Sequence, residues 1–321
     1  MQPVIAQPSS GPGPHSEGPA ASVSLAAAST GFAKLPPTAL LLLAIVAVQL
    51  GGALASVFLS TLGPVGVTFS STLFSAALLT LFGRPQPLLR GSRSLIRRHG
   101  FLILAYGAVN VALALPYYLA LERIPLGILA TITFLGPLGL AVVTSRRLVH
   151  FVWIAIAAFG VALLAPDIGA TLSEGGLDPV GLFYAAISGL AWAAFVILSK
   201  RTGAIFPGAD ALALALWVCA AITFPAALLE GSIQQTGFLG LAGALGVSLL
   251  GVILPLVLEF QALRNMTART YGILVTLEPA AGALVGMILL SQPASPRMIL
   301  AVACVMLAAL GVTLSDRRDS H

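Results

Sequence analysis

RTYGILVTLEPAAGALVGMILL, residues 269–290, is apolar for long enough to cross a bilayer, yet Glu278 stands near its middle, immediately before Pro279. A carboxylate at that depth costs ~2.5–3.5 kcal/mol on insertion scales, so it faces a polar path or a partner rather than lipid. Proline lacks the N–H that a helix interior needs and kinks or opens the helix around it. Gly272, Ala280, Ala281, Gly282, Ala283 and Gly286 flank the pair and let neighbouring helices come close. A charge, a kink and a smooth packing face in one span point to a transport pathway. The alternative is a structural glutamate bonded to a neighbour's backbone in a helix that merely bends.

The rest of the chain agrees with a membrane setting. It has 321 residues, 58% hydrophobic and 8% charged, with a mean hydropathy of +1.01. Soluble domains carry about 25% charged residues, so this is an integral membrane protein. Aqueous enzymes, nucleic-acid binders and secreted disulfide scaffolds are excluded on this ground. Cys219 and Cys304 lie inside apolar runs with no CxxC spacing and read as small buried side chains. His15, His99, His150 and His321 fall in loops, tails or helix ends, which leaves no intramembrane metal or haem site, and no cofactor is expected. Walker A, nucleophile-elbow and HExxH patterns are absent, which argues against direct ATP drive and against a membrane hydrolase.

Residues 1–35 are rich in Pro, Gly, Ser and Ala and read as a disordered tail without the pattern of a signal peptide. Ten spans follow, near 38–59, 64–82, 100–120, 124–144, 149–166, 179–199, 209–229, 237–262, 270–290 and 296–315. With the N-terminus inside, the inner segments hold 14 of the 16 Lys and Arg, and only Arg123 and Arg297 fall outside. Glu122, Asp167, Glu174, Asp178 and Glu230 collect in the outer connections. This asymmetry predicts an even number of spans and two cytoplasmic ends.

The two halves resemble each other. ALERIPLGILATITFLGPLGL from Ala120 lies against ALRNMTARTYGILVTLEPAAGAL from Ala262, with Pro137 and Pro279 at the same interval from the Ala-Leu pair. Leu115-Pro116 and Leu254-Pro255 precede the two copies, and similar segments ending in Gly-Val close the halves around Gly160 and Gly311. Five spans per copy is odd, so the second copy enters the membrane upside down, an architecture that transporters use. The fold expected is therefore all-α and integral to the membrane, with ten transmembrane helices as two inverted five-helix repeats. The repeats span 36–167 and 168–315, with a short cytoplasmic tail at 316–321.

GVT at 66–68, IPLGI at 124–128, FLGPL at 134–138, SRRLVHFVW at 145–153, ALRNMTARTYG and LEPAAGALVGMILL carry a closer likeness. Over residues 36–315 the chain resembles EamA-type proteins of the drug/metabolite transporter superfamily, in their threonine/homoserine exporter branch. The resemblance implies an inner-membrane exporter of small amino acids, driven by proton exchange. Relatives in that branch carry an arginine in the second span where Ser71 or a near neighbour stands here. They also carry a glutamate in the fourth span at the place of Thr133. Losing both leaves no unpaired charge, and it opens the substrate and the coupling mechanism to change.

Glu278 is the stronger candidate for the proton carrier. Glu259, near the inner end of the eighth span, reads equally as functional, as snorkelled or as paired with Arg264. Gln49 and Asn110 do not titrate but can orient a carboxylate or hydroxyl. Tyr117 and Trp192 line a cavity or belong to an interfacial belt, and Thr133 bonds a substrate or its own helix. Pro137, like Pro279, breaks its helix near the centre, and Tyr271 completes the candidate set for substrate binding and coupling. Small-molecule substrate, protons and the lipid bilayer are the expected partners, with no nucleic acid; a homodimer is allowed. Competing readings are a drug or other metabolite carrier on the same fold and a non-transporting membrane enzyme or receptor.

Overall fold

Backbone that faces lipid must satisfy its own hydrogen bonds, and a helix does so within one segment. The computed structural model describes residues 35–82, 92–144, 149–163, 178–206, 210–235, 237–265, 274–293 and 295–315, and no strand occurs among them. The elements are α1 (Pro37–Phe82), α2 (Ser92–Leu121), α3 (Leu126–Thr144), α4 (Val149–Ala162), α5 (Pro179–Gly203) and α6 (Asp210–Leu229). After them come α7 (Ser232–Gln235), α8 (Phe238–Ser248), a π-helical turn (Leu249–Ile253), α9 (Leu254–Asn265), α10 (Glu278–Leu289) and α11 (Pro296–Ser315). Five stretches are long and apolar enough to cross a membrane: Pro37–Leu81, Ile96–Leu121, Pro179–Gly203, Asp210–Leu229 and Phe238–Glu259. Leu126–Leu140, Glu278–Leu289 and Pro296–Gly311 are shorter apolar helices.

Local sequence explains the irregular points. The 45-residue run Pro37–Leu81 is about 67 Å long at ~1.5 Å per residue, roughly twice the ~30 Å hydrocarbon core. It breaks at Gly63, whose φ of 64° and ψ of 168° suit a residue without Cβ, and Pro64 opens the second arm. α2 starts at Ser92, earlier than the apolar pattern predicts, and departs from helical geometry at His99, where the apolar span begins. The π-helical turn ends just before Pro255, with the Leu254 N–H donating to the Leu249 carbonyl. Pro255 cannot donate, and its ring crowds the carbonyl four residues back, so the wider turn relieves the clash.

The packing is inverted relative to a soluble protein. Large side chains such as Phe101, Phe238, Leu229 and Val143 lie exposed on the outside, while alanines and small polar residues fill the inside. Lipid is as apolar as leucine, so helices associate by close backbone contact through small residues. Gly51 meets Gly251, Gly127 meets Ala283 and Gly136 meets Gly189 at such crossings. α1 packs against α6, α8, α9 and α10; α5 against α2 and α3; α10 against α3; and α4 against α11.

Buried apolar residues are distributed unevenly along the bundle. One cluster joins α1, α2, α3, α5, α8, α10 and α11 through Ala53, Leu62, Ile124, Leu129, Ala185, Val247, Val285 and Met298. Toward the other end the core divides into separate groups around Val305, Leu258, Tyr106 and Leu216.

Candidate functional site

α10 begins at Glu278. Leu277, its N-cap, has no side chain to cap with, and Pro279 sits in the first turn, where a missing N–H leaves no bond unmade. The Ala281 N–H donates to the Leu277 carbonyl, and the Leu277 N–H to the Leu274 carbonyl. The expected kink is thus the start of a helix, with a turn at Thr276 and Leu277 before it. Glu278 is buried at 8% exposure, and the helix N-terminus supplies a partial positive charge that favours a carboxylate.

One turn further on, Gly282 faces α1 and α3. A Cβ there would stand 2.7 Å from the Ala130 Cβ and 3.0 Å from Gln49 Oε1. Gln49 is buried, and its Oε1 has no hydrogen-bond partner. An enclosed acceptor without a donor is costly and suits a ligand that brings one. Gly52, a turn along α1 from Gln49, leaves room for Tyr117, since a Cβ there would lie 2.9 Å from the tyrosine hydroxyl. Gln49 and Gly52 thus bring α10 and the Tyr117 hydroxyl of α2 to one stretch of α1, and Glu278 and Pro279 are buried in the turn before Gly282. Glu259 is half-buried, and the Arg264 side chain lies outside the described residues.

The polar strip extends beyond this group. Tyr117 and Tyr118 meet edge-on, ring centroids 5.5 Å apart. Thr68, Ser71, Thr72 and Ser75 recur at i, i+3, i+4 and i+7 along the second arm of α1 and are all buried. Thr68, Ser71 and Thr72 each donate to a carbonyl of their own helix, leaving lone pairs to face the interior. Ser75 pairs with Ser248 of α8 at 2.8 Å. That periodic hydroxyl stripe is visible in the sequence but does not announce a site, because such residues ordinarily bond their own helix.

Thr133 donates to the Leu129 carbonyl at 2.8 Å and sits at the crossing of α3 with α5. Trp192 packs edge-on to Phe134, 6.2 Å between centroids, in the core group that includes Trp153 and Val305. Asn110 donates to the Tyr106 carbonyl at 2.8 Å. Pro137 is half-buried within an unbroken α3, and Tyr271 lies outside the described residues. Cys219 and Cys304 are buried and free. Among the described residues no three His, Cys, Asp or Glu gather to hold a metal ion.

At the end of the bundle near Glu122, Asp178 caps α5 by accepting from the Val180 N–H at 2.9 Å and pairs with Arg123 at 2.8 Å. The hydrogen bond from Arg123, with that backbone N–H second, holds the Asp178 carboxyl below its ordinary range. Glu122 is shifted upward by partial burial, against the pull of Arg123.

Comparison with known proteins follows the same lines. The EamA-like transporter family matches residues 179–314. The threonine/homoserine exporter RhtA of Escherichia coli (strain K12) is 31% identical over 284 residues, 88% of this chain and 93% of the relative. RhtA of Salmonella typhimurium (strain LT2) is 31% identical over 289 residues, 89% of this chain and 95% of its own. One solved crystal structure shares the fold at a TM-score of 0.54 and 18% identity, covering 87% of this chain and 98% of that one. With the relatives aligned along nearly their whole length, this chain is a member of the EamA-like transporter family and a membrane transporter rather than an enzyme.

Proposed function

We propose that this chain is a secondary-active exporter of small amino acids of the threonine/homoserine kind, located in the inner membrane and coupled to protons through Glu278. The observation that carries the reading is a buried carboxylate at the start of a helix inside the bundle, one turn before Gly282, which packs against the unpartnered amide oxygen of Gln49. A carboxyl so placed can hold a proton in one orientation and a substrate ammonium in the other. Gln49 Oε1 accepts a second proton of that ammonium. The names of the RhtA relatives support an amino-acid cargo.

The architecture in this reading is ten crossings in two inverted five-helix repeats, 36–167 and 168–315, with both ends cytoplasmic. The break at Gly63 supports two crossings in α1, and the family match over 179–314 falls within the second repeat. Packing supports the inversion: α5 lies on α2 and α3 as the first arm of α1 lies on α8, α9 and α10. A carrier of some other metabolite is favoured by one observation, the hydroxyls at Ser71 and Thr133, both turned to their own helix carbonyls.

The test is flux of labelled amino acids in proteoliposomes with and without an imposed pH gradient. Glu278→Gln keeps the shape and fixes the neutral form; it abolishes accumulation against a gradient while exchange continues. Uphill transport by Glu278→Gln would remove Glu278 as the proton carrier. A panel of solutes in the same assay separates amino acids from other cargo.

A further inference from the structure

Near Glu122 the connection between α2 and α3 is held at two points. Arg123 pairs with Asp178 at the head of α5, and the Leu126 N–H, the first of α3, donates to Gln292 Oε1 at 3.0 Å. Both bonds run from the first half of the chain to the second. Gln292 is placed for this by its own backbone. α10 ends with Ser291 in the left-handed region at φ 51°, and the Gln292 N–H then folds back to the Gly286 carbonyl at 3.1 Å. The amide oxygen lies directly over Gly286, where a Cβ would stand 2.5 Å from it. Beneath it Leu126 is fully buried, and Gly127 runs against Ala283.

The apolar cluster that lies here joins both halves, through Leu126 and Ile128 on one side and Val285 and Met298 on the other. We infer that this structure is the state closed at the Gln292 end, and that the Gln292–Leu126 hydrogen bond is the latch of that closure. Opening at this end separates α3 from α10, and it must release this side-chain bond between the end of α10 and the start of α3. The Arg123–Asp178 pair is the weaker point of the clasp, because Arg123 is exposed and water screens it. Gln292 is half-buried, so its bond has less competition from solvent. The inference requires a transporter that opens at this end, and no particular cargo.

The experiment measures the distance between spin labels at Glu122→Cys and Pro293→Cys, both exposed positions, in nanodiscs. Cys219 and Cys304 are replaced by alanine. With Gln292 present a short-distance population dominates. In Gln292→Leu a longer population gains on the order of fivefold, the factor that one neutral hydrogen bond supports. Gln292→Glu keeps an acceptor oxygen and holds the short distance. An unchanged distribution in Gln292→Leu overturns the latch, as does an equal shift in Gln292→Glu. If Gln292→Leu does not fold, Gln292→Asn, one methylene too short to reach Leu126, is read by the same criterion.

Discussion

α3 and α10 carry a proline at the same interval after an Ala-Leu pair, and they respond to it in opposite ways. α3 runs unbroken from Leu126 to Thr144 through Pro137. α10 has its first residue at Glu278 and Pro279 in its first turn. Both prolines lack the same N–H, so the cause of the different outcome lies in the neighbours. Pro137 frees the Thr133 carbonyl, and Gly189 of α5 covers it: a Cβ on Gly189 would meet that oxygen at 3.0 Å. Gly136, before the proline, has its Cα against the Gly189 backbone. At the equivalent place α10 has Glu278, whose side chain needs room and polar company. The same proline is thus absorbed by a glycine crossing in one helix and becomes a helix start in the other.

The largest effect should come from the glycine crossing. Gly136→Ala puts a methyl group onto the Gly189 carbonyl, a backbone atom that cannot turn aside. We expect a loss of about 3 kcal/mol, the upper end of overpacking costs. In Gly282→Ala the new methyl group meets Gln49 Oε1 at 3.0 Å, which can turn aside, and the Ala130 Cβ at 2.7 Å, which moves only with its backbone, so the loss is nearer ~2 kcal/mol. Unfolding in detergent ranks the two, and the reverse order would place the tight crossing at α10.

Exchanging the prolines sharpens the contrast through transport. Pro279→Ala lets the helix continue through Glu278 and misplaces the carboxyl. Its stability changes by less than about 1 kcal/mol, since a first-turn proline stabilises little, while exchange flux falls several-fold. Pro137→Ala restores a donor inside α3, where the crossing already sets the geometry, and its flux falls less. Equal losses in the two variants would mean that both prolines act as the same kind of hinge.

The smallest effect belongs to the ion pair above the start of α3. Asp178→Asn retains an N-cap for α5 and removes only the charge pairing with Arg123. The melting temperature should hardly move. In the parent the folded carboxyl titrates below its ordinary value, so its contribution is complete above the unfolded pKa. It is lost as pH falls through the folded one. Melting curves of parent and Asp178→Asn should therefore converge in acid; a gap that widens toward low pH would contradict the pairing.

Much of this was legible before any coordinates. Apolar run length placed most of the helices between Pro37 and Ser315, although α2 begins at Ser92, ahead of its expected span, and α10 only at Glu278. The boundary expected between spans near 59 and 64 falls close to the break at Gly63. Glu278 stood out because a carboxylate in an apolar run has few uses. Less was legible about its companions. Gln49, Tyr117 and Glu259 could be named as polar residues in spans, but where they stand relative to Glu278 depends on how α1, α2, α9 and α10 cross. Gln292 gave no signal at all, since a glutamine in a short connection is unremarkable until the Leu126 N–H is seen beside it.

The amino-acid sequence by itself determined the membrane setting, the helical class and the presence of one deeply placed carboxylate. Those properties depend on composition and spacing along the chain, and solvent enforces them locally. Only the tertiary structure decided that Pro137 leaves its helix whole while Pro279 starts one, that Gln49 keeps an unpartnered oxygen, and that Gln292 bonds the start of α3. These depend on contacts between residues far apart in the chain. Among apolar helices in lipid, such contacts are selected by the fit of small residues at each crossing, which hydropathy along the chain does not encode.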